Sequence, residues 1–194
     1  MESVYSLVLI SVSLLLVLIN GFFVAAEFAI VRARATRLDE LVAQGDRAAR
    51  TARKLYGELD TALSGTQLGI TLASLGLGWL GEPAFAHLLE PSLRLGPWSA
   101  VVAHTISITA AFLFITLLHI VFGELAPKTL AIRKSEQTLL WVARPMRFFY
   151  RLAYPMIWAL ERASGVVLTL MRTEPASEME LAHSETELRM ILAQ

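Results

Sequence analysis

Three stretches of this sequence put oxygen-bearing side chains into apolar surroundings. Asn20 and Glu27 are seven residues apart, so on a helix they share one face. Gln67, Thr71 and Ser74 follow one another at i, i+4 and i+7, again a single helical face, in a segment loosened by Gly65, Gly69, Gly76 and Gly78. Glu124 stands in the phrase Phe122-Gly123-Glu124-Leu125-Ala126-Pro127-Lys128. Pro127 has no N–H and disfavours helix at the residue before it, so a break in the chain is expected beside Glu124. Carbonyls freed there, next to a carboxylate, would make a hard oxygen site. Oxygen-only ligands suit Mg²⁺ or Ca²⁺ and not a soft metal. The sequence has no cysteine, which excludes thiolate ligation, disulfides and a cysteine nucleophile.

Each of these groups also has a structural use. Hydroxyls on a glycine-rich helix face make interhelical hydrogen bonds, the role expected of Thr71 and Ser74 taken alone. Glu27 could sit at the headgroup level beside Arg32 and Arg34, and Glu124 could pair with Lys128 at i+4. His104 and His119 are too far apart to meet on one helix and are expected to pack and hydrogen-bond, not to ligate. An intramembrane enzyme built on Glu27, His119 and Glu124 has no HExxH pattern behind it. The chain is expected not to be an enzyme.

The elements that must position these groups are apolar. Of 194 residues, 55% are hydrophobic and only 18% charged, and the mean hydropathy is +0.56. The apolar residues gather into runs at about 5–31, 62–80 and 99–123. The first exceeds the ~30 Å hydrocarbon core at ~1.5 Å per residue. With no basic n-region and too long an apolar stretch, it does not read as a cleaved signal peptide. Ionisable residues inside such spans are costly, which makes each a functional candidate. Lys plus Arg and Asp plus Glu both count 17, a balance that offers nothing to a nucleic acid.

Basic residues orient the spans. Arg32, Arg34, Arg37, Arg47, Arg50, Arg53 and Lys54 follow the first run; Lys128, Arg133, Lys134, Arg144, Arg147 and Arg151 follow the third. None precedes the first, and the expected loop at 81–98 carries only Arg94. The positive-inside rule puts the N-terminus outside and the C-terminus in the cytoplasm of a multi-pass cell-membrane protein. Residues 36–59 read as polar cytoplasmic helix, opened by a capping box of Thr36 with Asp39 and divided by Gly45. Residues 139–171 read as an amphipathic juxtamembrane helix that Pro145 and Pro155 would break or kink, with a fourth span as the minority reading. Beyond 173 the chain is acidic and polar, and Ser184 with Glu187 opens a further helix. The expectation is a linker at 173–194 leading into a soluble domain. The fold class expected is all-α integral membrane: three transmembrane helices, cytoplasmic connector helices and an amphipathic juxtamembrane helix.

Three motifs, in order, carry a resemblance. They are Asn20-Gly21-Phe22-Phe23-Val24-Ala25-Ala26-Glu27, Gln67-Leu68-Gly69-Ile70-Thr71-Leu72-Ala73-Ser74-Leu75-Gly76 and the Phe122 to Lys128 phrase. Together they resemble the DUF21 membrane domain of CorC and cyclin M (CNNM) magnesium transporters, whose bacterial members were also labelled hemolysin-like. The resemblance covers nearly the whole chain and assigns 1–172 to that domain. It implies a homodimer in the lipid bilayer and a following pair of CBS domains that bind nucleotide, beginning in 173–194. It implies Mg²⁺ export coupled to Na⁺ entry, the ion held dehydrated between the spans. On this chain the implied ligands are Glu124 as principal anion, Ser74 and Thr71 as hydroxyls and Gly69 as a carbonyl. Glu27 is a second charge or gate, and Gln67 and Asn20 are neutral oxygens. Many relatives carry serines where this chain has Val24 and Ala26, and asparagines where it has Ile70 and Ser74. The alternative is a membrane anchor that dimerises and positions cytoplasmic CBS domains without transporting anything.

Overall fold

A computed structural model describes residues 2–94 and 99–171 of the chain, with side chains at 6–90 and 99–171. Every element among the described residues is a helix: α1 (Glu2–Arg32), α2 (Ala35–Ala43), α3 (Arg47–Gly57), α4 (Leu59–Arg94), α5 (Ala100–Leu118), a π-helical segment (His119–Leu125), α6 (Ala126–Arg133) and α7 (Ser135–Leu170). The expected linker and capping box beyond residue 172 lie outside the described residues.

Among the described residues two stretches are long and apolar enough to cross a membrane: Ser6–Arg32, and Ala100–Arg133, in which α5, the π segment and α6 run on as one rod. α4 has 36 residues, but glycine, serine and threonine dilute its hydropathy. It does not end near residue 80: the expected loop is helical as far as Arg94, despite Pro83 and Pro91. Packing outweighs the two missing donors here. Ala84 and Ala86 are buried, Phe85 packs on Phe114 at 5.3 Å, and His104 Nδ1 lies 3.4 Å from the Glu90 carboxylate.

The close approaches fix the directions. Gly76 faces Leu16, Ser74 faces Asn20 and Gly69 faces Phe23, so α4 runs antiparallel to α1. Gly81 meets Ile115 while Glu90 meets His104, so α5 runs antiparallel to α4. α1 and α5 are therefore parallel, with α4 returning between them. Their outer faces leave Leu14, Leu18, Leu75, Trp79, Phe112 and Leu113 exposed, an apolar surface far larger than a water-soluble monomer presents.

Below this bundle sits the main core. It joins Phe23, Ala26 and Ile30 of α1 to Leu38 of α2, Leu55 of α3 and Leu139, Val142 and Met146 of α7. Gly45 does divide the connector, at φ 89°, a left-handed conformation that glycine adopts without strain. The expected capping box does not form: α2 begins at Ala35, and Arg34 makes no side-chain cap. The cap is instead Asp46, whose carboxylate accepts from the backbone N–H groups of Ala48 and Ala49 at 2.7 and 3.2 Å and opens α3. α7 passes unbroken through Pro145 and Pro155. Buried contacts of Met146 and Ile157 beside the two prolines hold it together.

Candidate functional site

The chain does not break beside Glu124 as expected; the helix widens instead. From His119 to Leu125 the turns are π-helical, and ordinary helix resumes at Ala126. Pro127 then occupies the opening turn of α6, where a missing N–H is tolerated. Its ring lies against α1: a Cβ on Gly21 would stand 2.9 Å from Pro127 Cγ and 2.8 Å from the Phe122 carbonyl oxygen. A Cβ on Gly123 would stand 2.8 Å from the His119 ring and 3.2 Å from the Asn20 amide nitrogen. Only glycine fits at either place, so α1 and the π segment meet backbone to backbone.

That closeness brings a polar cluster together inside the bundle. Pro127 cannot donate to the carbonyl four residues back, that of Gly123. The buried Asn20 amide donates to it at 2.9 Å. The Ser74 hydroxyl donates to Asn20 Oδ1 at 3.1 Å and lies 3.4 Å from His119 Nε2. One residue from each of α1, α4 and the π segment, plus one carbonyl, thus form a chain of polar groups. No buried side-chain nitrogen or oxygen among the described residues lacks a partner. Left unmade, each such bond would cost about 1–3 kcal/mol.

Of the residues singled out in the sequence, Asn20 and Ser74 meet. Gly69 lies one α4 turn and more away, and its missing Cβ admits the Phe23 ring, which a methyl group would approach to 2.5 Å. Gln67 and Thr71 are exposed, and the Thr71 hydroxyl is engaged with the Gln67 carbonyl at 2.8 Å. Glu27 is half-buried. Glu124 is exposed and flanked by the exposed Phe122 and Leu125, outside the cluster. Lys128 does not pair with it but stands over the Phe28 ring, its Nζ 4.5 Å from the centroid. Among the described residues no three His, Asp or Glu side chains converge as a metal-holding group. His104 is exposed, whereas His119 packs on Gly123 within the cluster.

Sequence reasoning missed the Gly123 carbonyl as a specific acceptor and Gly21 as the contact point. Both had a signal: the carbonyl is four residues before Pro127, and Gly21 is adjacent to Asn20.

The chain has close relatives among curated proteins. It is 47% identical over 194 residues to the UPF0053 protein YhdT of Bacillus subtilis, covering 100% of this chain and 41% of that protein. It is 46% identical over 180 residues to YrkA of the same organism, covering 93% of this chain and 42% of that protein. It is 36% identical over 182 residues to the uncharacterized protein Rv1841c of Mycobacterium tuberculosis, covering 94% and 52%. The chain thus spans about half the length, or less, of these relatives. The model of the cyclin M transmembrane N-terminal domain matches residues 11–194, nearly the whole chain, and the protein belongs to that family of membrane domains.

Proposed function

We propose that this chain is the membrane domain of a divalent-cation transporter that exports Mg²⁺ in exchange for Na⁺ entry, with Mg²⁺ as cargo. Family membership supports the class, and the observation that carries the reading is the Asn20–Ser74–Gly123 cluster, in which Asn20 and Gly123 are buried and Ser74 half-buried. Three kinds of oxygen meet there in an apolar bundle, at a π-helical turn of the sort that recurs at functional sites. In this reading α1, α4 and the α5–α6 rod are three crossings with the N-terminus outside. α7 lies in the cytoplasmic headgroup layer, as its exposed Trp141, Phe148 and Trp158 suit it to do. Asn20, Ser74 and Thr71 would offer oxygens and Gly69 a carbonyl, while Gln67 would stand at the cytoplasmic approach. Glu124 and Glu27 would supply charge, which lowers the cost of bringing a bare cation out of water. The domain would work as a homodimer, with nucleotide bound only in CBS-type regions beyond it.

A second reading is a membrane anchor that dimerises and positions cytoplasmic domains. One observation favours it: the Asn20, Ser74 and His119 groups satisfy one another, as interhelical glue does. Mg²⁺ flux into proteoliposomes separates the two. The transporter reading expects flux that Glu124→Gln abolishes while the chain stays folded. Absence of flux from the intact dimeric protein, in either gradient direction, would leave the anchor.

A further inference from the structure

A second place in the molecule gathers charge that transport does not use. α3 and α7 face each other across a groove of about 360 Å³ on the side of the bundle that carries the basic connectors. Lys54 of α3 and Glu58, the residue that closes α3, line one wall. Arg147 and Arg151, one turn apart on α7, line the other with Tyr150 and Tyr154. Three cations against one carboxylate leave two excess positive charges. The nearby ion pairs use other residues: Arg53 with Asp39, Arg37 with Glu40 and Arg34 with Glu136. Lys54, Arg147 and Arg151 form no ion pair with a carboxylate among the described residues.

The surroundings say where the counter-charge comes from. Along the groove and beyond it α7 exposes Phe148, Leu152 and Trp158, side chains that belong among acyl chains and glycerol backbones. Guanidinium groups favour phosphate through paired, charge-assisted hydrogen bonds, and basic pockets beside cytoplasmic helix ends accept lipid headgroups. Burial raises the Tyr150 phenol above its ordinary value of 10.0, with Glu161, Tyr154 and Glu58 adding to the rise and a hydrogen bond with Thr61 opposing it.

We infer that the α3–α7 groove is a binding site for the phosphate headgroup of an anionic phospholipid, held by Lys54, Arg147 and Arg151. The inference rests on α7 lying at the membrane surface and is independent of ion transport.

The test is thermal unfolding of the detergent-solubilised chain, titrated with short-chain phosphatidylglycerol, phosphatidylcholine or glycerol phosphate. Phosphatidylglycerol alone is expected to raise the unfolding temperature saturably. Arg147→Gln with Arg151→Gln is expected to weaken its midpoint at least about tenfold. Lys54→Gln, a change at an exposed residue that leaves the fold alone, should weaken it in the same direction. Arg133→Gln with Lys134→Gln, which removes two cations elsewhere, should leave it unchanged. Equal stabilisation by phosphatidylcholine, an equal midpoint for glycerol phosphate, or an equal loss in the Arg133 and Lys134 control would each overturn the assignment. Quenching of Trp158 by brominated lipid, in a chain with its other tryptophans changed to Phe, reads the placement of α7 separately; no quenching would overturn that placement.

Discussion

The crossing of α1 with the π segment and the packing of α3 on α7 solve the problem of polar groups in opposite ways. At the crossing the groups are an amide, a carbonyl and a hydroxyl, buried or half-buried and bonded to one another: amide to carbonyl, hydroxyl to amide. In the connector layer they are charged and exposed, and they pair at the surface, Arg53 with Asp39 at 2.7 Å and Arg37 with Glu40 at 2.6 Å. The contrast follows from solvent. Where water is absent, a missing partner costs the full desolvation of the group left behind; where water is present, it replaces the partner at little loss. The crossing is therefore expected to be intolerant of change, and the connector layer forgiving.

The severest challenge is Gly21→Leu. With a Cβ already 2.8 Å from the Phe122 carbonyl, the helices must separate, at a cost of about 3 kcal/mol or more. Unfolding by denaturing detergent should show it; near-wild-type stability would mean that the two backbones are not in contact. Next is Asn20→Ala, which strands the Gly123 carbonyl and leaves the Ser74 hydroxyl only the His119 ring at 3.4 Å. A loss of about 1–3 kcal/mol is expected, with faster amide exchange across 119–125. A loss below a few tenths would erase the contrast between the two regions.

The connector layer should respond less. Asp46→Ala removes the cap of α3 and should cost about 1 kcal/mol, visible as fraying of Arg47–Gly57 in hydrogen exchange. Smallest is Glu136. The hydrogen bond from Arg34 holds its carboxyl below the ordinary 4.5, its own backbone N–H and Ser135 helping and burial opposing. Because the folded value is lowered, the contribution is present above pH 4.5 and fades as pH falls through that lower value. Glu136→Gln should therefore be less stable than the parent by up to about 1 kcal/mol at pH 7, and the two should converge in acid. A difference that grew on acidification would reverse the assignment.

Much of the architecture was legible because its cause is local. Long apolar runs announce helices that fit a bilayer, and Gly45 marks the division of the connector by the one conformation it alone tolerates well. Asn20 and Ser74 were legible as polar residues in apolar segments. What escaped the sequence depends on partners far along the chain. Pro145 and Pro155 read as breaks and 81–98 as a loop, yet these prolines and Pro83 and Pro91 lie inside helices; buried Ala84, Ala86, Met146 and Ile157 hold the turns beside Pro83, Pro145 and Pro155. Pro127 read as a break beside Glu124, whereas the chain absorbs it by widening its turns. The same widening governs how the seven turn residues are displayed: Gly123 faces inward, and Glu124 faces out. Counting at 3.6 residues per turn could not supply that.

The glycine contact between α1 and the π segment also has a mechanical consequence. Two backbones that touch have no side chains between them to flex, so these two helices must travel as a single stiff strut. α4 is different: it meets α1 through the Phe23 ring and the Ser74 hydroxyl, parts that can rotate and re-seat.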